Sequence, residues 1–263
     1  MSIEKIIADK ITNSSKVNKS ISKPIVKIGV IGVIIGVAVM VLTLGIVLGF
    51  KNEIISKITD LTSHIIISNV NINSSNEPDP ITISSDTLKK IENLQYIKHI
   101  QAVTIKNAIL KTKNANEGII IKGVDNNYDY KFINANLIEG KIPTYTQDSL
   151  STEVLLSESL ANKLQIKLNQ KFSVYFIVQK LVYDSTVNAN IQKSEQRTRV
   201  FIPVGIFKNS FSDFDESLIF ADLKQLQKIN YWSNKQVGAY EIKINNYKNL
   251  AQNTENLQEF FGY

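Results

Sequence analysis

The sequence predicts an α+β protein: one N-terminal transmembrane helix, then an external domain of split βαβ halves with an inserted small β-rich subdomain. Two observations carry this prediction. Residues 28–50 form an unbroken apolar run, and helix-like and strand-like segments alternate near both ends of the chain that follows. The 263 residues are enough for one large domain or two small ones, each with its own core.

The apolar run contains no charge, amide, Ser or Pro, and Lys27 and Lys51 flank it. As a helix it extends roughly 34 Å, and the hydrocarbon core of a bilayer is about 30 Å thick. A cleaved signal peptide is the alternative, but its apolar core is usually about 7–15 residues long. The run therefore predicts a transmembrane helix over 28–50, and further apolar residues at helical spacing extend it to about residue 61.

Charge predicts the orientation of this helix. Residues 1–27 carry six Lys against one Glu and one Asp, and an excess of Lys marks the cytoplasmic side of a membrane. We therefore place 1–27 in the cytoplasm and 62–263 outside. The spacing of Ile3, Ile6 and Ile7 predicts a short amphipathic helix at the inner membrane surface, with a partly disordered leader as the alternative.

The external domain begins with strand-like residues at 64–72, a helix at 86–94 and a strand at 100–111. This order is that of a βαβ unit. It returns at the end of the chain, where a strand, a helix, a strand and a final helix are predicted at 217–220, 221–229, 238–244 and 247–261.

The middle of the chain has mainly strand-like segments, at 118–123, 172–182 and 197–207. We expect an inserted β-rich subdomain over about 145–210. The polar residues 184–196 are predicted to form the tip of a long hairpin there.

Composition excludes several chemistries. The chain has no Cys and two His, which excludes disulfides, thiolate catalysis and Cys-ligated zinc. No phosphate-binding loop of the G-x-x-x-x-G-K-[ST] type occurs, so the chain is not an ATPase. No basic stripe is interleaved with aromatic residues, so no nucleic acid partner is expected. The acidic cluster Asp213, Asp215 and Glu216 is interpreted as a turn before a strand.

The segment GVIGVIIGVAVMVLTLGIVLGFKNEI (29–54) resembles the first span of bacterial ABC transporter permeases of the lipoprotein-releasing (Lol-type), MacB and FtsX-like superfamily. Gly49, Phe50 and Glu53 carry this match. IIIKGVDNNYDYKFINANLIEGKIP (119–143) is similar to a family stretch through Gly123, Val124, Asp125, Glu139, Gly140 and Lys141.

Residues 154–176 resemble the family's strand–helix–turn–strand, in which Ser157, Gln165 and Asn169 stand where glycines are usual. Ser is a good N-cap and Asn tolerates a left-handed turn, whereas Gln165 is a poorer substitute. Residues 197–229 also resemble the family. The combination is most similar to lipoprotein-releasing permeases of Bacteroidetes type.

The resemblance implies the N-terminal portion of a permease subunit in the bacterial inner membrane, with a MacB-like periplasmic domain. Such permeases have four transmembrane helices, one before the periplasmic domain and three after it, so we expect this chain to be a fragment, a truncated form or one part of a split subunit. ATP and Mg²⁺ bind to a separate cytoplasmic ABC ATPase. The implied partners are that ATPase, a second permease copy or a sister permease, a lipoprotein substrate and a periplasmic carrier. The implied function is ATP-driven release of lipoproteins from the inner membrane to the carrier, with no enzymatic activity on this chain.

Three sets of residues are predicted to contact partner helices, a substrate or a partner protein. Small residues of the span are expected to pack against partner helices, at Gly32, Gly36, Gly45 and Gly49. Residues of its other surface are candidates for a substrate path, with plain lipid contact as the alternative, at Met40, Leu44, Val47 and Leu48. Charged residues around the hairpin are candidates for partner contact, at Asp184, Arg197 and Arg199.

Two other functions stay open at this point. One is a MacB- or FtsX-like permease for export or transmembrane mechanical signalling. The other is a single-span anchor that carries a periplasmic binding module. The sequence offers no catalytic, cofactor-binding or metal-binding motif that would favour an enzyme.

Overall fold

The computed structural model describes residues 3–13, 22–61, 63–71, 77, 79–112, 115–146, 148–184, 189–208 and 217–261. The chain divides into two compact units, Met1–Lys57 and Ile58–Tyr263. The first unit is helical, and the second holds the sheet and its covering helices.

Two helices lie before the sheet: α1, Ile3–Asn13, and α2, Ser22–Leu61. Within α2, residues Pro24–Ile55 are long and apolar enough to cross a membrane, and none of the most apolar window is buried by the chain. The first turn of α2 includes Pro24, which is tolerated there because Pro lacks only an N–H that the first helical turn leaves unpaired in any case. The predicted end near residue 61 agrees with the structure.

The described residues of the second unit form nine strands in one sheet. The strands are β1 Ile65–Ser68, β2 Ile97–Lys111, β3 Asn116–Val124, β4 Leu137–Gly140, β5 Glu153–Ser157, β6 Phe172–Asp184, β7 Ala189–Phe207, β8 Leu218–Asp222 and β9 Ala239–Ile244. The helices are α3 Ser85–Glu92, α4 Lys131–Ala135, α5 Glu158–Leu164, α6 Leu223–Ile229 and α7 Leu250–Phe260, with a 3₁₀ turn at Tyr247–Asn249.

Both predicted βαβ halves are present, and each is split by other strands. β1 and β2 are both antiparallel to β9, so they are parallel to each other with β9 between them, and α3 connects them. β8 is parallel to β3, and β3 and β9 are both antiparallel to β2, so β8 and β9 are also parallel. α6 connects that pair. The predicted α+β class is confirmed.

Six of the described strands form a closed ring, in which each strand pairs with two other members of the ring. The pairings run β2–β3–β8–β5–β7–β6 and return from β6 to β2. The largest hydrophobic cluster lies on the inner face, with Leu110, Ile121, Leu156 and Phe176 fully buried. β5, β6 and β7, the strands of the predicted subdomain, share this cluster with β2, β3 and β8. The boundaries expected near residues 145 and 210 therefore do not interrupt the sheet.

The glycine substitutes behave as the sequence predicts. The Ser157 side chain accepts a hydrogen bond from the Leu160 N–H at 3.3 Å and caps α5. Asn169 and Gln165 both adopt a left-handed backbone, with φ of 62° and 54°. The short elements α4 and β4 were not predicted, because five and four residues are too few to show a period.

Candidate functional site

The β6–β7 hairpin extends beyond the rest of the sheet. β6 pairs with β2 only through residues 173–175, and β7 pairs with β5 only from residue 202 onward. Beyond those contacts, residues 176–184 and 189–197 pair only with each other among the described strands. We call this part the ribbon. At ~3.3 Å per residue it is roughly 30 Å long.

The hairpin is confirmed, but its tip is shorter than the predicted 184–196. Residues 189–196 belong to β7 and pair with 177–184, and residues 185–188 between them lie outside the described part of the chain. The polar sequence was misleading because residues 189–196 (ANIQKSEQ) have few of the apolar and β-branched residues typical of a strand.

Arg197 lies at the base of the ribbon and contacts the end of α6. Its Nη1 donates to the backbone oxygens of Lys228, at 2.7 Å, and Ile229, at 3.1 Å. Its guanidinium lies 4.0 Å from the ring centroid of Tyr231. Its Nε donates to Glu195 Oε1 at 3.3 Å. In the structure, Arg197 therefore binds residues of its own chain.

Glu195 completes this cluster. The Tyr231 hydroxyl donates to Glu195 Oε2 at 2.6 Å, and this hydrogen bond raises the pKa of Tyr231. The other predicted contacts lie apart from it. Arg199 is half-buried and donates to the Thr198 backbone oxygen at 2.9 Å. Asp184 ends β6 opposite Ala189, and its side chain lies outside the described part of the structure.

An apolar strip lies on the outer face of the closed sheet and continues onto the base of the ribbon at Ile177. Ile177 is 59% exposed, Val200 46%, and Ile109 and Ile105 45% each. The strand register makes the strip continuous, since Ile109 lies opposite Tyr175, and Tyr175 and Ile177 share one face of β6. Large exposed apolar patches are typical of interaction surfaces.

Glycines that carry the family resemblance are needed for close backbone approach. A Cβ on Gly123 would lie 2.8 Å from Leu226 Cδ1, so this glycine lets α6 pack on β3. Gly140 has φ of +83°, and a Cβ there would lie 2.1 Å from the Val204 oxygen. These residues position the fold rather than perform chemistry.

A buried row of charges lies under the segment that follows β3. Lys122 Nζ is 2.7 Å from Glu241 Oε1, and Gln101 donates to Glu241 Oε2 at 2.8 Å. Burial lowers the pKa of Lys122, although Glu241 opposes this effect. This pair was not predicted from the sequence. The available signal was charge within two strongly apolar strands: Lys122 in 119–124, and Glu241 and Lys243 in 239–244.

Asp129 and Lys243 extend the row, with 3.1 Å between Asp129 Oδ2 and Lys243 Nζ. Burial alone would raise the pKa of Asp129, but the hydrogen bond and charge of Lys243 outweigh it and lower that pKa. The Asp129 backbone N–H also donates to Gln101 Oε1 at 2.9 Å. The contacts fix the segment after β3 onto the sheet.

The four glycines predicted to pack against helices are Gly32, Gly36, Gly45 and Gly49. Apart from neighbouring residues and the helix's own backbone, no atom of the described residues lies within 4 Å of a Cβ built on any of them. The proposed substrate-path residues Met40, Leu44, Val47 and Leu48 are all exposed. Both roles stay predictions, since each requires a partner or a substrate.

No group of three or more His, Asp or Glu within the described ranges could hold a metal ion. The acidic cluster at 213–216 lies outside those ranges. The described features around the ribbon are a projecting hairpin, a base held by Arg197 and an apolar strip that continues from the closed sheet.

A family model described as the MacB-like periplasmic core domain matches residues 28–260. The chain belongs to this family. The match covers α2 from residue 28 onward and the nine described strands of this MacB-like chain.

One relative is the lipoprotein-releasing system transmembrane protein LolC of Buchnera aphidicola subsp. Schizaphis graminum, 26% identical over 224 residues. The alignment covers 84% of the MacB-like chain and 51% of LolC, so the chain spans about half the length of this relative.

Two solved structures are also similar. One is the extracellular domain of the noncanonic ABC-type transporter YknZ from Gram-positive bacteria, with 14% identity, 75% and 95% coverage of the two chains and a TM-score of 0.45. The other is the periplasmic region of MacB from Actinobacillus actinomycetemcomitans, with 16% identity, 75% and 83% coverage and a TM-score of 0.45.

The predicted resemblance to ABC permeases of the MacB and LolC type is therefore confirmed. The family and the apolar helix together indicate a membrane-anchored protein.

Proposed function

We propose that the MacB-like chain is part of a permease subunit that releases lipoproteins from the bacterial inner membrane to a periplasmic carrier. The observation that carries this proposal is the match to LolC over 84% of the chain. In the proposed topology the N-terminal tail is cytoplasmic and the sheet is periplasmic, as the six Lys and two acidic residues of 1–27 favour.

Energy would come from a separate subunit. A cytoplasmic ABC ATPase would bind ATP and Mg²⁺, and its closure would move the membrane helices of this permease and of a second copy or sister permease. α2 is one continuous helix over Ser22–Leu61, longer than a bilayer crossing needs, so it could transmit such a movement out of the membrane.

The exposed ribbon and the apolar strip are the structural features that favour a contact with a carrier. A partner can reach both edges of the ribbon, and the strip offers Ile177 and Val200 as aliphatic contacts at its base. Aliphatic residues at the centre of a contact and polar residues at its rim are usual in protein interfaces.

The test starts with the full-length parent protein, purified with a tag from its native membrane. Mass spectrometry of the co-purified proteins should identify an ABC ATPase and acylated lipoproteins. The complex is then reconstituted in liposomes with a lipoprotein. After addition of Mg²⁺, ATP and the soluble carrier, acylated protein should appear in the soluble fraction.

A matched pair of variants locates the contact. Ile177→Ser should reduce carrier-dependent release several-fold, whereas Ile66→Ser should not, because Ile66 is almost equally exposed, 57% against 59%, but lies on β1. Equal carrier-dependent release by both variants and the wild type would exclude the apolar strip as the contact site for the carrier.

The family match supports a second function equally, because it names MacB rather than LolC. That function is export of another substrate or mechanical signalling across the membrane. An ATPase that co-purifies without lipoproteins would favour it. Absence of both would leave an anchored periplasmic binding module.

A further inference from the structure

Glu195, Arg197 and Tyr231 form a closed set of contacts where the ribbon leaves the sheet. Arg197 contacts both of the other two, and the Tyr231 hydroxyl joins Glu195 at 2.6 Å. Arg197 lies opposite Phe176, and this pair follows directly after the last β6 residue that pairs with β2. The contacts therefore lie at the point about which the ribbon would bend.

The same contacts connect the ribbon to α6. Lys228 and Ile229, whose backbone oxygens accept from Arg197, are the last two residues of this helix. Carbonyls in the last turn of a helix have no partner within the helix, and a cationic side chain there is favourable. Arg197 thus attaches β7 to the end of α6 through charged hydrogen bonds.

The backbone at Tyr231 indicates that its side chain has a specific role. The Trp232 N–H donates to the Gln227 oxygen at 2.8 Å, and the Tyr231 N–H lies 3.4 Å from the Lys228 oxygen. This is the Schellman pattern of a helix end, in which the residue at the position of Tyr231 is usually Gly. Tyr231 has φ of 60°, a conformation that is unfavourable for a bulky side chain.

A small rotation at this base would have a large effect at the tip. For a ribbon of ~30 Å, a rotation of about 10° moves the tip by about 5 Å. A two-stranded ribbon has no other strand to hold its direction. The contacts at its base are therefore those that decide where the tip lies.

We infer that Glu195, Arg197 and Tyr231 form a clamp that fixes the angle between the ribbon and α6, and that this angle determines whether the ribbon meets its periplasmic partner. The second half of the inference rests on the proposed function; the first half does not. All three are positioning residues.

The direction of the ribbon relative to α6 can be measured from α3, because Ile91 of α3 and Leu223 of α6 belong to one hydrophobic cluster. Because the natural chain contains no Cys, nitroxide labels can be attached at only two introduced positions, Ser194→Cys on the ribbon and Lys90→Cys on α3. Both side chains are exposed. Pulsed electron paramagnetic resonance of the full chain in lipid nanodiscs then gives the distribution of distances between the two labels.

Tyr231→Gly is the decisive variant. It removes the ring and the hydroxyl but relaxes the backbone, so it should at least double the width of the distance distribution while the unfolding temperature falls by no more than a few degrees. Arg197→Lys should also broaden the distribution, since Lys keeps the charge but loses the planar group that stacks on Tyr231. Gln165→Gly is the matched control, because it relaxes a left-handed residue away from the clamp and should leave the distribution unchanged.

Unchanged distributions in both Tyr231→Gly and Arg197→Lys would overturn the clamp, and if Tyr231→Gly fails to fold, Arg197→Lys decides alone. In the liposome assay, both variants should reduce carrier-dependent release at least fivefold. A broadened distribution with normal release would overturn the link between angle and partner. If the wild type releases no lipoprotein, the proposed function fails, and the distance measurement still decides the clamp.

Discussion

Replacing Gln165 with Gly should stabilise the protein. Gln165 ends α5 with φ of 54° and ψ of 35°, and its neighbour Ile166 donates from its N–H to the Ala161 oxygen at 2.9 Å. This is a helix end that favours Gly. The Gln165 side chain is exposed and makes no hydrogen bond with the described residues, so its removal sacrifices no observed contact.

The magnitude follows from two opposing effects. A left-handed conformation costs an ordinary residue roughly 1–2 kcal/mol. Gly loses about 0.5–1 kcal/mol more backbone entropy on folding than Ala. The net gain in unfolding free energy should be about 0.5–1 kcal/mol, which for a domain of this size is roughly 1–4 °C in unfolding temperature.

The assay is thermal unfolding of the full chain in detergent micelles, followed by the fluorescence of its one Trp, Trp232. Gln165→Ala is the control, because Ala has the same backbone preference as Gln and should give no gain. Asn169→Gly should gain less, because Asn tolerates φ of 62° better than Gln tolerates 54°. An unfolding temperature of Gln165→Gly at or below that of the wild type, or an equal gain from Gln165→Ala, would refute this reasoning.

Three further predictions concern stability. Gly140→Ala should cost more than about 3 kcal/mol or prevent folding, because its Cβ would lie 2.1 Å from the Val204 oxygen; near-normal unfolding in denaturant would contradict this. Glu241→Gln should cost about 3–5 kcal/mol by leaving the Lys122 ammonium buried without its carboxylate, and Lys122→Met in the same chain should restore part of the loss. Asp129 has a lowered pKa when folded, so the stability it adds is present above its unfolded pKa of about 3.9 and is lost as pH falls through the folded value. The stability difference between wild type and Asp129→Asn should therefore be largest at neutral pH and shrink in acid, and a difference independent of pH would exclude this role.

The sequence predicted the elements that have a strong period and enough length. β2 and α7 are examples, since the predicted ranges 100–111 and 247–261 overlap the observed Ile97–Lys111 and Leu250–Phe260 closely. The split βαβ order was also predictable, because alternating strand and helix signals at both ends of the chain indicate it. The short α4 and β4 were not, since so few residues show no period.

The closure of the sheet was beyond sequence reasoning. It depends on three residues of β6 that pair with the end of β2, although residues 112–171 separate the two strands along the chain. Hydrophobic patterns predict which face of a strand is buried, but they do not identify its neighbour. The Lys122–Glu241 pair was hidden for the same reason, because its two residues are 119 positions apart.

Two described helices end in a non-Gly residue with a left-handed backbone. Comparing them shows where this strained conformation is merely tolerated and where it accompanies side-chain contacts. Gln165 and Tyr231 occupy the same position in the same Schellman pattern, and both have φ near 55–60°. The exposed Gln165 side chain gains no hydrogen bond with described residues, so its conformation is only tolerated, whereas Tyr231 stacks on Arg197 and binds Glu195. Backbone strain that is compensated by side-chain contacts at one site, and by none at an equivalent site, favours a role for those contacts. The contrast between Tyr231→Gly and Gln165→Gly therefore tests the clamp with the chain as its own reference, because both variants relax the same kind of strain and only one removes contacts.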